Sequence, residues 1–203
     1  NPEKFLQVYG NCRVDTTYNS KGHNNGLRWK DISSGKYMDE NDTFVGGKQY
    51  ELSVMLISKT GYSFSASATS ITVNSDTATL DVRDVSHAQA TIILTADKLF
   101  INYATISGLD APAAGNAADF SVSVQEKTCE IYPTTKEMIY NGVFWFDKTK
   151  EEYLKPGDKF VAGHQYAVAV YVQSKSGYEF PNNVQVTING GKCIIGQNSG
   201  SLI

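Results

Sequence analysis

The chain contains a long internal repeat. When the sequence is shifted by 116 residues against itself, residues 29–64 align with residues 145–180 without a gap. Fifteen of these 36 positions are identical, among them Trp29 and Trp145, which is far more than chance gives. A period above 100 residues is too long for a solenoid unit and has the size of a small domain. The repeat therefore predicts two similar domains.

Both copies show the alternation of apolar and polar residues that is typical of β-strands. Residues 166–172 repeat the pattern of residues 50–56, in which every second residue is apolar: Tyr50, Leu52, Val54 and Leu56. Glycine-containing turns separate such segments, and no window shows the 3.6-residue period of a helix. The sequence predicts an all-β fold of two tandem antiparallel β-sandwich domains with little or no helix.

The boundary between the copies is predicted at residues 96–98. Residues 89–95 read as the closing strand of the first copy, and residues 99–103 open the second. The connection is short and has no run of Gly, Pro or Ser, so it allows little hinge motion. We therefore expect domains at residues 1–97 and 98–203, arranged as a rod.

The repeat is also expected to continue beyond both ends of the chain. A counterpart of the lead-in at residues 106–115 would precede Asn1, and a counterpart of the closing strand of the first copy would follow Ile203. This pattern predicts a segment of a longer array of such modules.

Composition and charge restrict the partners. Hydrophobic residues make up 41% and charged residues 19% of the chain, which favours a folded protein with a packed core. The net charge of −3 argues against binding to nucleic acid, which needs a basic surface. No apolar stretch approaches the ~20 residues of a membrane helix, so we expect no membrane insertion.

Cysteine usage predicts no disulfide scaffold and no metal site. The three cysteines, Cys12, Cys129 and Cys193, are odd in number and form no C-x-x-C pair. We expect them to be small buried apolar residues. One Cys129–Cys193 bridge is the alternative.

No set of residues predicts catalysis or a cofactor. Asp31 and Asp147 follow the tryptophan strands, but neither has a second repeated acid nearby, so we interpret them as turn or cap residues. The acidic residues 39–42 offer oxygen ligands for Ca²⁺, yet the second copy has Lys-Pro-Gly-Asp there, which favours a solvated turn. His164 aligns with Lys48 and is predicted to occupy a hydrated turn.

The repeated aromatic residues lie in phase with the aliphatic face of their strands, which predicts that they are core residues. They are Trp29 and Trp145, Tyr50 and Tyr166, Tyr62 and Tyr178, and Phe64 and Phe180.

Other aromatic residues differ between the copies. Alternation turns Phe144 and Phe146 outward, where the first copy has an arginine and a lysine. Tyr171 also faces outward, and the aligned residue in the first copy is Met55. An exposed aromatic set in one copy predicts a contact surface, so Phe144, Phe146 and Tyr171 are the candidate ligand-binding residues. Packing within the sandwich or between modules is the alternative.

Several turn and core motifs follow one another in the second copy. They are Ile-Ser-Gly-Leu-Asp-Ala-Pro-Ala-Ala-Gly at residues 106–115, Trp145, Phe-Val-Ala-Gly-His-Gln-Tyr at 160–166, Ser-Gly-Tyr-Glu-Phe at 176–180 and Val-Thr-Ile-Asn-Gly at 186–190. In this order they resemble the immunoglobulin-like, or fibronectin-III-like, tandem modules of large bacterial cell-surface and secreted proteins. The resemblance covers the second copy almost end to end and the first from about Leu27, and it departs from the pattern in a polar loop at residues 19–26.

The resemblance implies an extracellular or cell-surface location and no catalytic residue. The expected function is that of a non-catalytic spacer or adhesive interaction module of a bacterial surface or secreted protein. We expect a monomer without cofactor or metal, whose partner is a cell-surface protein or a glycan. The alternative is a carbohydrate-binding accessory module that uses Phe144, Phe146 and Tyr171 as a flat aromatic platform.

The predicted rod can be tested by small-angle X-ray scattering. A compact single globule of this length has a radius of gyration of about 17 Å, whereas two small domains placed end to end give about 22 Å. We expect a value near the larger number and an elongated distance distribution. A value near the smaller one would show that the two domains fold against each other.

Overall fold

The structure is a computed structural model that describes residues 8–67, 69–73 and 75–203. Residues 1–7 of the predicted first domain lie outside the described residues. The described chain consists of strands and turns without a helix, which confirms the predicted all-β class. The strands are β1 (Cys12–Val14), β2 (Leu27–Asp31), β3 (Gln49–Ser58), β4 (Thr72–Val73), β5 (Asp76–Thr77), β6 (Thr79–Val82), β7 (His87–Thr95), β8 (Leu99–Phe100), β9 (Tyr103–Ser107), β10 (Ser123–Val124), β11 (Cys129–Ile131), β12 (Val143–Asp147), β13 (Glu152–Leu154), β14 (Tyr166–Val170), β15 (Val172–Ser174), β16 (Tyr178–Glu179), β17 (Gln185–Ile188) and β18 (Gly191–Lys192).

The chain divides into two compact units, residues 1–97 and 98–203. The first unit has a five-stranded antiparallel sheet in the order β1-β3-β7-β6, with β2 also paired to β3, and a separate hairpin of β4 and β5. The long strand β3 pairs with β7 on one edge and with β2 and then β1 on the other. Its inward residues Leu52, Val54 and Leu56 form the centre of the core, as the alternation predicts.

The second unit is built from several smaller sheets. Its main ones are β13-β12-β14 and β10-β9-β17-β18, and the pairs β11-β15 and β8-β16 complete it. The pairs β9-β17 and β8-β16 run parallel, whereas the predicted sandwich was antiparallel throughout. Alternation of apolar residues reports which face a strand buries, and it carries no information about the direction of its neighbour.

The repeat is reproduced in the strand registers. Trp29 of β2 lies opposite Leu52 of β3, and 116 residues later Trp145 of β12 lies opposite Val168 of β14. The equivalence extends upstream of Leu27, where sequence identity fades. Strand β1 pairs with the end of β3 as β11 pairs with β15, since the paired positions are Cys12 with Ser58 and Cys129 with Ser174.

Each unit contains three aromatic rings in edge-to-face contact. Phe44 lies between Trp29 and Tyr50, and its ring centroid is 4.8 Å from each. The Tyr50 hydroxyl accepts a hydrogen bond of 2.8 Å from the Val45 N–H, which ties the turn before β3 to the core. The second unit repeats the contacts with Trp145, Phe160 and Tyr166.

The core prediction is confirmed for four of the eight repeated aromatic residues, which are buried: Tyr50, Phe64, Trp145 and Phe180. Three others, Trp29, Tyr166 and Tyr178, are half-buried. Trp145 packs in a cluster with Leu109, Ala118 and Phe120.

The core prediction is wrong for Tyr62, which is 55% exposed. Tyr62 follows the left-handed turn at Gly61, and no described strand of the first unit lies beside it. Its counterpart Tyr178 lies in β16, which pairs with β8 and packs against the core of the second unit.

Met55 alternates with the inward residues Val54 and Leu56 of β3, so the pattern predicts an exposed position for it, but Met55 is only 4% exposed. The Met55 N–H donates to the Gly26 carbonyl, and the Met55 carbonyl accepts from the Asp15 N–H, both at 2.8 Å. The chain around residues 15–26 therefore lies close against this part of β3.

Gly26 and its counterpart Gly142 permit this close approach. Both residues have positive φ, and a Cβ atom at Gly142 would collide with the carbonyl oxygen of Tyr132. We expect Gly142→Ala to lower the free energy of unfolding by more than about 2 kcal/mol, from left-handed strain plus the collision.

Gly157→Ala is the matched control, because Gly157 also has positive φ and open space around its Cβ position. It is expected to cost only the strain, about 1 kcal/mol. Urea denaturation measures both values, and equal losses would contradict the packing role of Gly142.

Candidate functional site

The outward side of the sheet β13-β12-β14 carries the predicted aromatic residues. Phe146 of β12 lies opposite Tyr153 of β13 on one side and Ala167 of β14 on the other. Phe144 lies opposite Ala169. Alternation turns these residues away from Trp145, which is 2% exposed and donates its indole N–H to the backbone carbonyl of Asp119 at 2.6 Å.

Four rings contact one another on this surface, and we call Phe144, Phe146, Tyr153 and Tyr171 the aromatic face. The ring centroids of Phe144 and Tyr171 are 6.2 Å apart, those of Phe144 and Tyr153 are 5.9 Å apart, and those of Phe146 and Tyr153 are 5.0 Å apart. The structure therefore brings the three predicted residues together through a fourth, Tyr153.

The rings of the aromatic face are not coplanar. Their interplanar angles are 41° for Phe144 with Tyr171, 69° for Phe144 with Tyr153 and 57° for Phe146 with Tyr153. The surface is ridged, with Tyr153 the most accessible ring at 49% exposure and the other three half-buried. With these angles, the rings do not form a flat platform.

Sequence reasoning overlooked Tyr153 because it considered aromatic residues that differ between the copies, and the first copy has a tyrosine, Tyr37, at the equivalent position. Its counterpart Tyr37 is equally exposed, at 49%, but has polar neighbours. The guanidinium carbon of Arg28 lies 4.8 Å from the centre of the Tyr37 ring, within cation–π range. Arg28 also reaches Glu51 at 3.8 Å and donates to the Ser53 hydroxyl at 3.2 Å.

The strand next to the rings also differs between the units. Glu51 and Ser53 of β3 correspond to Ala167 and Ala169 of β14. The alanines leave the sides of the phenylalanine rings uncovered, and Ala167 is itself exposed. The second unit thus has a continuous apolar surface at positions where the first has a hydrogen-bonded, charged network.

Asp31 and Asp147 cap turns, as predicted. Asp147 Oδ1 accepts hydrogen bonds from the backbone N–H groups of Thr149 at 2.9 Å and Lys150 at 3.0 Å. In the first unit, Asp31 Oδ1 accepts hydrogen bonds from the N–H groups of Ser33 at 2.8 Å and Ser34 at 3.2 Å. These contacts stabilise the turn after the tryptophan strand in both units.

The hydrated turn predicted for His164 is wrong. The His164 side chain is 18% exposed, and its Nδ1 lies 2.7 Å from Oδ2 of Asp147, whose side chain is 5% exposed. Lys48 makes the equivalent contact with Asp31 in the first unit, at 3.1 Å. Burial raises the pKa of Asp147, but hydrogen bonds from His164 and from two backbone N–H groups outweigh it, so this pKa lies below its ordinary value.

All three cysteines are free, so the alternative Cys129–Cys193 bridge is absent. Cys129 is buried as expected, at 1% exposure, and burial is the main cause that raises the pKa of its thiol to about 11. Cys12 and Cys193 are half-buried rather than fully buried.

The acidic turn at residues 39–42 is held by a local hydrogen bond. Asp42 Oδ2 accepts from the Asp39 N–H at 2.9 Å, and Asp158 accepts from the Lys155 N–H at 2.7 Å in the second unit. Within residues 8–67, 69–73 and 75–203, no three His, Cys, Asp or Glu side chains come together as a metal-binding group.

Comparison with known proteins finds no matching family model, no similar curated protein and no similar solved structure. In the part of the chain that the structure describes, no helix has the length and apolar character needed to cross a bilayer.

The contact between His164 and Asp147 makes a prediction about stability. At neutral pH we expect His164→Leu to lower the melting temperature, because a buried carboxylate loses its partner, whereas His164→Lys, which copies the first unit, retains most of it.

The pH dependence follows from the lowered pKa of Asp147. A carboxyl group with a lowered folded pKa contributes stability above its unfolded value, near pH 4, and this stability is lost as the pH falls through the folded pKa. Melting curves of the wild type and Asp147→Asn should therefore converge below about pH 4. A constant difference between pH 7 and pH 2 would contradict this role.

Proposed function

We propose that this chain is a non-catalytic interaction module of a bacterial surface or secreted protein, built from immunoglobulin-like sandwich units, and that the aromatic face of the second unit is its contact surface. It acts outside the cell as an adhesive or spacer element. The resemblance of the turn and core motifs supports the location and the module type, and the aromatic face supports the binding role.

The comparison between the two units carries the proposal. Strands β2 and β12 pair with their neighbours in the same register, so the outward positions are equivalent. Arg28 and Lys30 occupy in the first unit the positions of Phe144 and Phe146 in the second. Since the first unit forms the same strand pairing with charged residues, the phenylalanines are not required for this part of the fold.

The chemistry of the aromatic face suits a partner with apolar surface and hydrogen-bonding groups at its edge. Aromatic side chains offer 150–250 Å² of contact area each and lose little conformational entropy on binding, which is why tyrosine is enriched at binding hot spots. Tyr153 contributes an accessible ring and a hydroxyl, and the neighbouring Ala167 leaves room for a partner group beside Phe146.

A carbohydrate partner is the second candidate, and the inclination of the rings favours one form of it. The 57° angle between Phe146 and Tyr153 prevents both rings from stacking on one flat chain of sugars. It allows a single sugar ring to stack on Tyr153, or a curved oligosaccharide to contact both rings in turn. A cell-surface protein remains the first candidate, because ridged aromatic and alanine surfaces pack well against protein side chains.

The proposal is tested by binding of the labelled chain to a glycan array and to a panel of purified cell-surface and matrix proteins. We expect binding to at least one member, and a loss of affinity of at least tenfold in the double variant Phe146→Ala/Tyr153→Ala. Neither side chain belongs to the buried core, so melting curves should show that the variant is folded.

The matched control is Lys30→Ala/Tyr37→Ala, which changes the equivalent positions of the first unit and should leave binding intact. Binding to glycans alone would select the carbohydrate-binding alternative. Binding that is equal in the wild type and in the double variant of the second unit would contradict a role of the aromatic face.

A further inference from the structure

The first unit has a polar loop that lies against β3, and we call residues 15–26 the cap loop. Its end is fixed to the strand, because the Met55 N–H donates to the Gly26 carbonyl at 2.8 Å. Within the loop, the Gly26 N–H donates to the Tyr18 carbonyl at 2.9 Å, and the Asn25 N–H donates to Oδ1 of Asn19 at 2.8 Å. These hydrogen bonds keep the loop closed over Met55, which is 4% exposed.

A histidine side chain is buried inside the cap loop. His23 is 6% exposed, and its ring meets that of Tyr18 edge to face, with 5.1 Å between the ring centroids. Nδ1 of His23 lies 3.0 Å from the carbonyl oxygen of Ser20. A carbonyl oxygen only accepts hydrogen bonds, so Nδ1 carries the proton of the neutral ring and Nε2 carries none.

The second ring nitrogen of His23 is buried without a partner. Among the described residues, no group forms a hydrogen bond with Nε2, and this atom is shielded from solvent. A proton on Nε2 would create a buried, charged N–H group that has no acceptor. Burial of such a group costs far more than burial of a neutral ring nitrogen. The closed loop therefore favours the neutral imidazole.

The charged side chains that act on His23 from other elements are both cationic. They are Arg28 of β2 and Arg83, which lies between β6 and β7. The acidic partners of these arginines are Glu51, at 3.8 Å from Arg28, and Asp81, at 2.8 Å from Arg83. A proton on His23 would add a third positive charge beside the two arginines.

The cap loop itself supplies no carboxylate to the imidazole. Asp15 is the only acidic residue of the loop, and its Oδ1 accepts hydrogen bonds from the Thr17 N–H at 3.1 Å and the Thr17 hydroxyl at 2.6 Å. Burial is the main cause that lowers the pKa of His23. The hydrogen bond to the Ser20 carbonyl raises this pKa, and the charges of the two arginines lower it further.

The second unit builds the same loop without an ionisable group at this position. Ile139 follows His23 by 116 residues. The Ile139 N–H donates to the Lys136 carbonyl as the His23 N–H donates to the Ser20 carbonyl, both at 3.0 Å. An isoleucine is therefore compatible with this loop, and its backbone structure does not require a histidine.

We propose that the cap loop is an acid-sensitive latch, which opens when His23 takes up a proton and then exposes the part of β3 beneath it. In the closed loop the added proton has no acceptor, whereas water solvates the imidazolium in the open loop. Protonation therefore favours the open state. The latch lies in the first unit and uses no residue of the aromatic face, so failure of one proposal leaves the other unaffected.

The direction of the pH dependence follows from the lowered pKa of His23 in the closed loop. The open loop titrates near the ordinary value of about 6.5. The closed state has its full stability above that value and loses stability as the pH falls below it. The equilibrium constant for opening rises by at most about tenfold per pH unit, and it levels off below the pKa of the closed loop.

The latch is tested by amide hydrogen exchange, with each rate divided by that of an unstructured chain at the same pH. We expect the protection of the Gly26 and Met55 amides to fall at least threefold between pH 7.5 and pH 5.5. The Gly142 and Tyr171 amides, whose hydrogen bonds to Thr134 and Gly142 are the equivalents in the second unit, are the internal reference and should not change.

The amide of Leu52, in the middle of β3, distinguishes opening of the loop from unfolding of the unit. Its protection should stay constant over the same pH range. An equal fall at Leu52, Gly26 and Met55 would overturn the proposal, because the whole unit would then be opening. Constant protection of Gly26 and Met55 between pH 7.5 and pH 5.5 would overturn it as well.

The matched variant is His23→Ile, which copies Ile139 of the second unit. It should give equal protection of Gly26 at both pH values, and melting curves at pH 7.5 should show that it is folded. The variant keeps His87, whose Nδ1 lies 3.1 Å from Asp84. A pH-dependent fall that persists in the variant would therefore arise from another group and would contradict the latch.

A titration of the wild-type chain provides a test that needs no variant. The imidazole signals of His23 in NMR spectra should titrate with a midpoint below about 6.5, since the closed loop opposes protonation. A midpoint at or above this value would show that the closed loop accepts the proton, which would exclude the proposed mechanism.

Discussion

The pairing of each tryptophan strand with the long strand that follows it is the constraint on which the rest of the structure depends. In both units this pairing places the tryptophan and a tyrosine of the long strand on the inward side. A slip by one residue would turn the tryptophan to solvent and bring Phe144 and Phe146, or Arg28 and Lys30, into the core. Burying unpaired charges is costly, so the first unit in particular admits only the observed register.

The turns that follow the tryptophan strands are stabilised by the same devices in both units. The carboxylate of an aspartate caps the turn by accepting hydrogen bonds from the backbone N–H groups of the turn. A lysine or histidine side chain seventeen residues later contacts the same carboxylate. A tyrosine hydroxyl then accepts from the next turn. Because these polar contacts lie at the ends of strands, they hold the register without occupying the outward faces.

The outward faces are therefore free to differ, and the proposed contact surface, the aromatic face, lies there. Arg28 contacts Glu51, Ser53 and Tyr37, so this face of the first unit is polar and charged. The equivalent face of the second unit combines four aromatic rings with two alanines.

Much of the fold could be predicted from the sequence, because alternation and self-similarity are local signals. They determined the strands, the inward position of Trp145, the outward position of Phe144 and Phe146, and the capping role of Asp31 and Asp147. What failed depends on which distant segments meet. The lead-in that covers Trp145, the strand that supports Tyr178 but not Tyr62, the parallel pairs, and the contact of His164 with Asp147 all join residues far apart in the chain.

The candidate site divides in the same way. The sequence alone determined that Phe144 and Phe146 lie on the face of their strand opposite to Trp145, since the side-chain period of a strand is fixed by its backbone. Only the tertiary structure decided that Tyr153 joins them and that the rings are inclined to one another. These properties arise from the arrangement of neighbouring strands across a sheet, which the order of residues within one strand does not encode.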